Sequence, residues 1–289
     1  MDLGLFFQVL VNGIAIGGIY AIVAAGFTLV LGTMKIFNFA HGEFYMLGAF
    51  VAYSVCEVLG LHYVFGLIAA FVSMALLGMF LQRVIVQYTY SGFFHTVLAT
   101  IAFSAIICQT AVISFGKADR FMDSVVSGRL NIGGVVLGND KLFLILLAVA
   151  LLVGLYYFMK LKIGKAMRAV AEDQETAGWQ GINTRYIFSV TMAIGCGLAG
   201  ISGGLIVPVL AAHPHMGLAI FIKVLLVIII GGMGSMPGAL LAAFLVGLIE
   251  SFGYQFVGAY NELLLMCLVI PLVYFRPGGL LGKPFAIPE

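Results

Sequence analysis

The sequence predicts an all-α membrane protein, a polytopic helical bundle of eight or nine transmembrane segments with at least one short or broken helix. Three observations predict it. Of its 289 residues, 63% are hydrophobic and only 9% charged, whereas a soluble domain carries about 25% charged residues. Charge is almost absent over long stretches: between residues 36 and 82 only Glu43 and Glu57 carry it. At least eight apolar runs approach the roughly 20 residues that a helix needs to cross a bilayer.

Apolar runs bounded by charges, glycines and prolines place spans near 5–33, 44–60, 63–87, 95–115, 141–160, 186–210, 217–232, 237–257 and 261–275. The chain is read as one transmembrane domain over 1–289. The N-terminus has no basic region before its apolar run and no evident cleavage site, so the first run reads as a retained helix. The seventh run is short, carries Lys223 and ends in Gly231-Gly232, which marks it as broken or partly inserted.

Lysine and arginine placement sets the orientation. The loop between the fifth and sixth spans holds Lys160, Lys162, Lys165, Arg168 and Arg185. Placed in the cytoplasm, it brings Lys35, Arg83, Arg276 and Lys283 to the same side and leaves Lys117, Arg120, Arg129 and Lys141 outside. Nine spans then put the N-terminus outside and the C-terminus inside. Residues 116–140, which include Asn131-Ile132-Gly133-Gly134, read as a solvated external connector able to meet a partner.

Cys56, Cys108, Cys196 and Cys267 lie in apolar segments without CxxC spacing, so they read as small buried hydrophobes. The formal net charge of +2 carries no signal for nucleic acid. Small residues at Ala239, Ala243 and Gly247, spaced by four, fit a close helix–helix face. His213 and His215 share a predicted outer turn; with no third ligand beside them in sequence, a turn or a contact with an external partner protein is expected rather than a metal site.

Charges inside apolar spans are rare and usually paired. Lys223 and Glu250 are therefore expected to contact each other, the alternative being a direct role with a zwitterionic substrate. Arg83 is expected to snorkel and Glu57 to be solvated. Gly231–Gly238, with Gly232, Gly234 and Ser235, reads either as pathway lining or as a structural turn, because irregular backbone at membrane depth must pack in protein or face water.

The stretch Asn38-Phe39-Ala40-His41-Gly42-Glu43-Phe44 is expected to form a tight turn at the cytoplasmic end of the first helix pair, near an inner gate. Asn38 serves as N-cap of the second helix, Glu43 lies in its first turns where the dipole favours it, and His41 bonds Glu43 or a neighbour.

Residues 160–186 are the informative loop. Lys165 to Ala177 has good helix propensity, with Gly178 and Gly181 as stops. Its alanines at 166, 169, 171 and 177 would let another protein approach, while an ordinary solvated helix is the alternative. This loop resembles the coupling helix of ABC importer permeases, through Ala171-Glu172-Asp173, Ala177 and Gly181-Ile182. Gly26-Phe27-Thr28-Leu29 followed by Asn38–Glu43 is similar to the first-helix signature of the branched-chain amino-acid permease family. Gly231–Gly238 with Gly247 and Glu250, and Pro277-Gly278-Gly279-Leu280-Leu281-Gly282, resemble its later signatures. The likeness is to the shorter of two homologous permease subunits, with urea and amide permeases as near relatives.

The resemblance implies a non-catalytic subunit in a bacterial plasma membrane. A second homologous permease, two cytoplasmic ATPase subunits and a periplasmic or lipid-anchored binding protein would be its partners. Lys165, Arg168, Ala171, Glu172, Asp173, Ala177, Gly181 and Ile182 would form the ATPase-coupling loop. Asn38, His41, Glu43, Lys223, Gly232, Gly234, Ser235 and Glu250 would line the pathway or gate. ATP and Mg would bind the partner subunits, so no cofactor is expected in this chain; it has no GxxxxGK[ST] phosphate loop. Amino acids are the expected cargo. A self-contained secondary transporter or channel for a small polar solute such as urea or an amide is the alternative, needing intramembrane ionisable groups of its own. A membrane enzyme is a distant third, since no HExxH occurs.

Overall fold

The computed structural model describes residues 3–90, 92–123, 125, 128–132, 135–276 and 278–282. Expectations resting on Met1, Asp2, Gly133, Gly134, Pro277 and Lys283 lie outside the described residues.

Among the described residues, nine apolar helical segments fall on the nine expected spans. Six are long and apolar enough to cross a membrane. These are α1 (Leu3–Met34), the run from α3 (Tyr63–Leu81) through a π-helical turn to α4 (Gln87–Thr89), α5 (Phe93–Phe115), α6 (Asn139–Lys160), α9 (Thr184–Ile206) and α11 (Met236–Val257). The other three fall on shorter helices: α2 (His41–Tyr53, extended by a π turn to Val58), α10 (Met216–Gly231) and α12 (Asn261–Phe275). Length and composition thus carry six of the eight or nine expected crossings. In the connector, β1 (Arg129–Ile132) and β2 (Val135–Gly138) form a small antiparallel hairpin, with Arg129 opposite Gly138.

The bundle is built around α1 and α9, whose most apolar windows are each 89% buried; those of α5 and α6 are 22% and 17% buried and so sit at the rim. Glycine explains how the centre closes. A side chain at Gly26 would strike the Gly195 carbonyl, and one at Gly203 would strike that of Tyr45. Small residues let backbones approach where no hydrophobic force drives helices together in lipid. Ala239 and Ala243 are fully buried and Gly247 packs on Gly17 of α1, as the four-residue spacing predicts.

The first helix pair departs from expectation. Lys35 takes a left-handed conformation (φ 54°) at the end of α1 and turns the chain back. Residues 36–40 then run inward beside α1, their phenylalanines held by other rings: Phe37 against Phe93 and Phe39 against Phe221. His41 Nε2 consequently lies 3.3 Å from the Val23 carbonyl. Val23 is eleven residues before the last residue of α1, about 16 Å of helical rise. Glu43 gives a second ruler: it bonds Ser104, eleven residues beyond the start of α5. The motif therefore sits deep in the bundle, not at the helix ends. This is why α2 is short.

Candidate translocation site and coupling surface

Asn38 does not cap α2. Ala40 holds the N-cap position without a side-chain bond, and Asn38 Oδ1 instead accepts the Ala40 N–H at 3.1 Å, a local side-chain turn. His41 is fully buried, its ring 5.3 Å from that of Phe27. Glu43 does lie in the first turn of α2. Its Oε1 accepts from Ser104 at 3.2 Å, and Oε2 has no partner among the described residues. That carboxylate packs on Gly217 in the first turn of α10, where the helix dipole favours a negative charge.

The expected contact between Lys223 and Glu250 is present: Nζ lies 2.5 Å from Oε1. The Tyr20 hydroxyl donates to the other oxygen, Oε2. Sequence reasoning missed Tyr20 because a tyrosine in an apolar run carries no charge that demands a partner. The three residues come from α1, α10 and α11, mid-helix in each. Three cavities meet at the pair. One of about 350 Å³ touches Tyr20, Lys223 and Glu250. A second, about 420 Å³, runs from Glu250 to Asn12 and Lys141. A third, about 290 Å³, lies between α10 and α12 beside Lys223. The side chain of Lys223 keeps 22% of its surface open.

Gly231–Gly238 forms a turn in which Gly231, Gly232 and Gly238 are buried and Gly234 is exposed. Gly232 and Gly234 have φ of 100° and 82°, backbone that favours glycine, and Ser235 caps α11 by accepting the Gly238 N–H. The C-terminal segment straps across it, with Leu280 and Leu281 donating to the carbonyls of Ile230 and Gly231.

The loop expected to couple forms two helices, not one: α7 (Lys162–Glu172) and α8 (Gln174–Trp179). Asp173 breaks them with extended backbone and caps α8, accepting from the Thr176 hydroxyl at 2.5 Å and from the N–H groups of Glu175 and Thr176. The Thr176 side chain and those N–H groups hold its carboxyl below the usual range. Along α7, Gly164, Met167 and Val170 face inward while Lys165 and Glu172 face solvent. Arg168 folds back to donate to the Met159 carbonyl. Ala177 is buried, contrary to a role as open docking surface, and Ala171 and Ile182 are half-buried; Gly181 is exposed with φ 83°. Trp179, 82% exposed, was missed; as the chain's single tryptophan in a charged loop it was the available signal.

Arg83 is exposed as expected and lines a cavity of about 520 Å³ with Arg185 and Gln174. Glu57 is exposed and accepts the Asp123 N–H at 3.1 Å. Cys196 is buried, Cys56 and Cys108 partly so, and Cys267 is exposed on α12. His215 has a thiol beside it that the sequence did not reveal, with Cys108 Sγ 3.7 Å from its Nδ1.

A glycine-packed bundle of apolar helices with an ion pair between two of them and an amphipathic surface loop defines a polytopic, all-α membrane protein. A family model described as "Branched-chain amino acid transport system / permease component" matches residues 9–274, and the chain belongs to that family. It is 31% identical to the high-affinity branched-chain amino acid transport system permease protein BraD of Pseudomonas aeruginosa, over 96% of each chain. It is 27% identical to LivH of Escherichia coli K12, again over 96% of each. Among solved structures it resembles the fold of "PsaBC from Streptococcus pneumoniae in complex with Fab", with a TM-score of 0.51 and 11% identity over 98% of this chain and 94% of that one.

Proposed function

We propose that this chain forms half of the translocation pathway of a binding-protein-dependent ABC importer in a bacterial plasma membrane, carrying branched-chain or other amino acids. The observation that carries the reading is the Lys223–Glu250 pair, open to three cavities at mid-helix depth. A partly open ammonium at that depth faces a watery route or protein, not acyl chains. The pathway therefore follows the open side of α10, where a second permease subunit closes it. The cargo class rests on the names of BraD and LivH.

ATP and Mg bind two cytoplasmic subunits docked on α7 and α8, and a binding protein delivers the solute to the opposite face, with the N-terminus outside and the C-terminus inside. Exposed Lys165, Glu172, Asp173 and Trp179 present charge and an aromatic anchor for the ATPases. Purified permease should bind the ATPases, and the complex should hydrolyse ATP faster with loaded binding protein. Glu172→Lys should weaken that association. An ATPase that associates equally well with a chain lacking residues 162–179 would refute the docking assignment.

A further inference from the structure

We propose that the cavity beside Tyr20, Lys223 and Glu250 is a binding subsite for the zwitterion of an aliphatic α-amino acid. The inference deepens the permease reading and rests on it. The site offers one cation and one anion, 2.5 Å apart, and an α-amino acid carries one of each on a single carbon. The substrate carboxylate takes the Lys223 ammonium and the substrate ammonium takes Glu250, so one ion pair opens into two. No charge is left unpaired in either state, which matters because a lone buried charge is far more costly than a paired one. Tyr20, donating to Glu250 Oε2, holds the carboxylate in place while Oε1 exchanges partners.

The remaining wall selects the side chain. Ile16, Ile19, Ile206, Leu210 and Ile220 line the same cavity, whose volume of about 350 Å³ suits a small solute. A charged substrate side chain would bring a third charge to a wall otherwise made of these aliphatic groups, small apolar residues, Tyr45 and His213. The neighbouring cavity shares Ile16, Ile19, Ile206, Leu210 and Glu250 and continues to Asn12 and Lys141, which gives a route in. The cavity between α10 and α12 touches Lys223 from another side and carries Glu262.

Equilibrium binding tests this on the permease–ATPase complex in nanodiscs without binding protein, using radiolabelled leucine. Saturable binding is expected, competed by valine and isoleucine. Isocaproate, which lacks the ammonium, and isoamylamine, which lacks the carboxylate, should compete about tenfold or more weakly, the loss expected for removing a charge-assisted contact. The double variant Lys223→Met/Glu250→Gln should lose leucine binding by a similar factor, and Ile220→Trp should exclude leucine while still admitting alanine. Equal competition by isocaproate, unchanged leucine binding in a double variant that elutes as wild-type complex, or no saturable binding overturns the subsite. The permease reading fails separately, if the full complex with binding protein shows no ATP-driven amino-acid uptake.

Discussion

Lys223 on α10 and Glu250 on α11 form an ion pair 2.5 Å long, mid-helix in an apolar bundle and braced by the Tyr20 hydroxyl. Removing one partner strands the other at low dielectric. Glu250→Gln and Lys223→Met should each destabilise the protein by about 3 kcal/mol, the lower end of the usual range because Lys223 is partly open. The double variant should recover most of that loss. Thermal unfolding of the purified protein measures it, and additive single effects would show that the two charges do not depend on each other.

His41 is expected to behave as a structural residue. It is fully buried against Phe27 and bonded to the Val23 carbonyl. His41→Ala leaves a void and should cost about 2 kcal/mol or more, so membrane-inserted protein should fall along with transport. Normal amounts of a stable but inactive variant would instead assign His41 to gating.

The glycine contacts make a sharper test of the fold. Gly203→Ala pushes a methyl into the Tyr45 carbonyl where α9 crosses α2, and overpacking of this kind costs about 1–3 kcal/mol. Gly154→Ala, in open space on α6, should be neutral or stabilise by up to about 1 kcal/mol. Comparing their melting temperatures checks both, and equal behaviour would contradict the close crossing.

What the sequence showed and what it hid follow from the same physics. The apolar runs and the Lys223–Glu250 contact were legible because a bilayer dictates length and forces charges to pair. The depth of His41 was not, because it depends on Lys35 reversing the chain and on rings brought from α5 and α10, which no local pattern encodes. The break at Asp173 was readable in principle: an Asp N-cap with Glu175 in the first turn after it is a helix-start signal, but strong propensity on both sides masked it.

Tyr90 links the loop that carries α7 and α8 to the core. Its hydroxyl lies 2.9 Å from the Met34 carbonyl and 3.2 Å from Gln174 Oε1, joining α8 to the end of α1. Tyr90→Phe should leave ATPase association intact yet lower uptake per ATP hydrolysed. Trp179→Ala, at an exposed position, should weaken association without lowering permease stability. Co-purification alongside uptake separates the two, and identical phenotypes would contradict the division of roles.

The Asp173 cap should depend on pH in one direction. Its carboxyl is held down in the folded loop by Thr176 and Glu175, so the stabilisation is fully present above the unfolded value near 3.9 and is lost as pH falls through the lower folded value. ATPase coupling should thus show no pH dependence arising from Asp173 between about pH 6 and 8, and Asp173→Asn should keep much of the cap. A coupling loss in that window that Asp173→Asn abolishes would contradict the assignment.

The most direct test of the account is transport by defined proteoliposomes. The chain with its permease partner, ATPases and binding protein should take up labelled leucine only with ATP inside the compartment that bears the ATPases. Uptake by this chain alone, driven by a proton gradient without ATP, would contradict it.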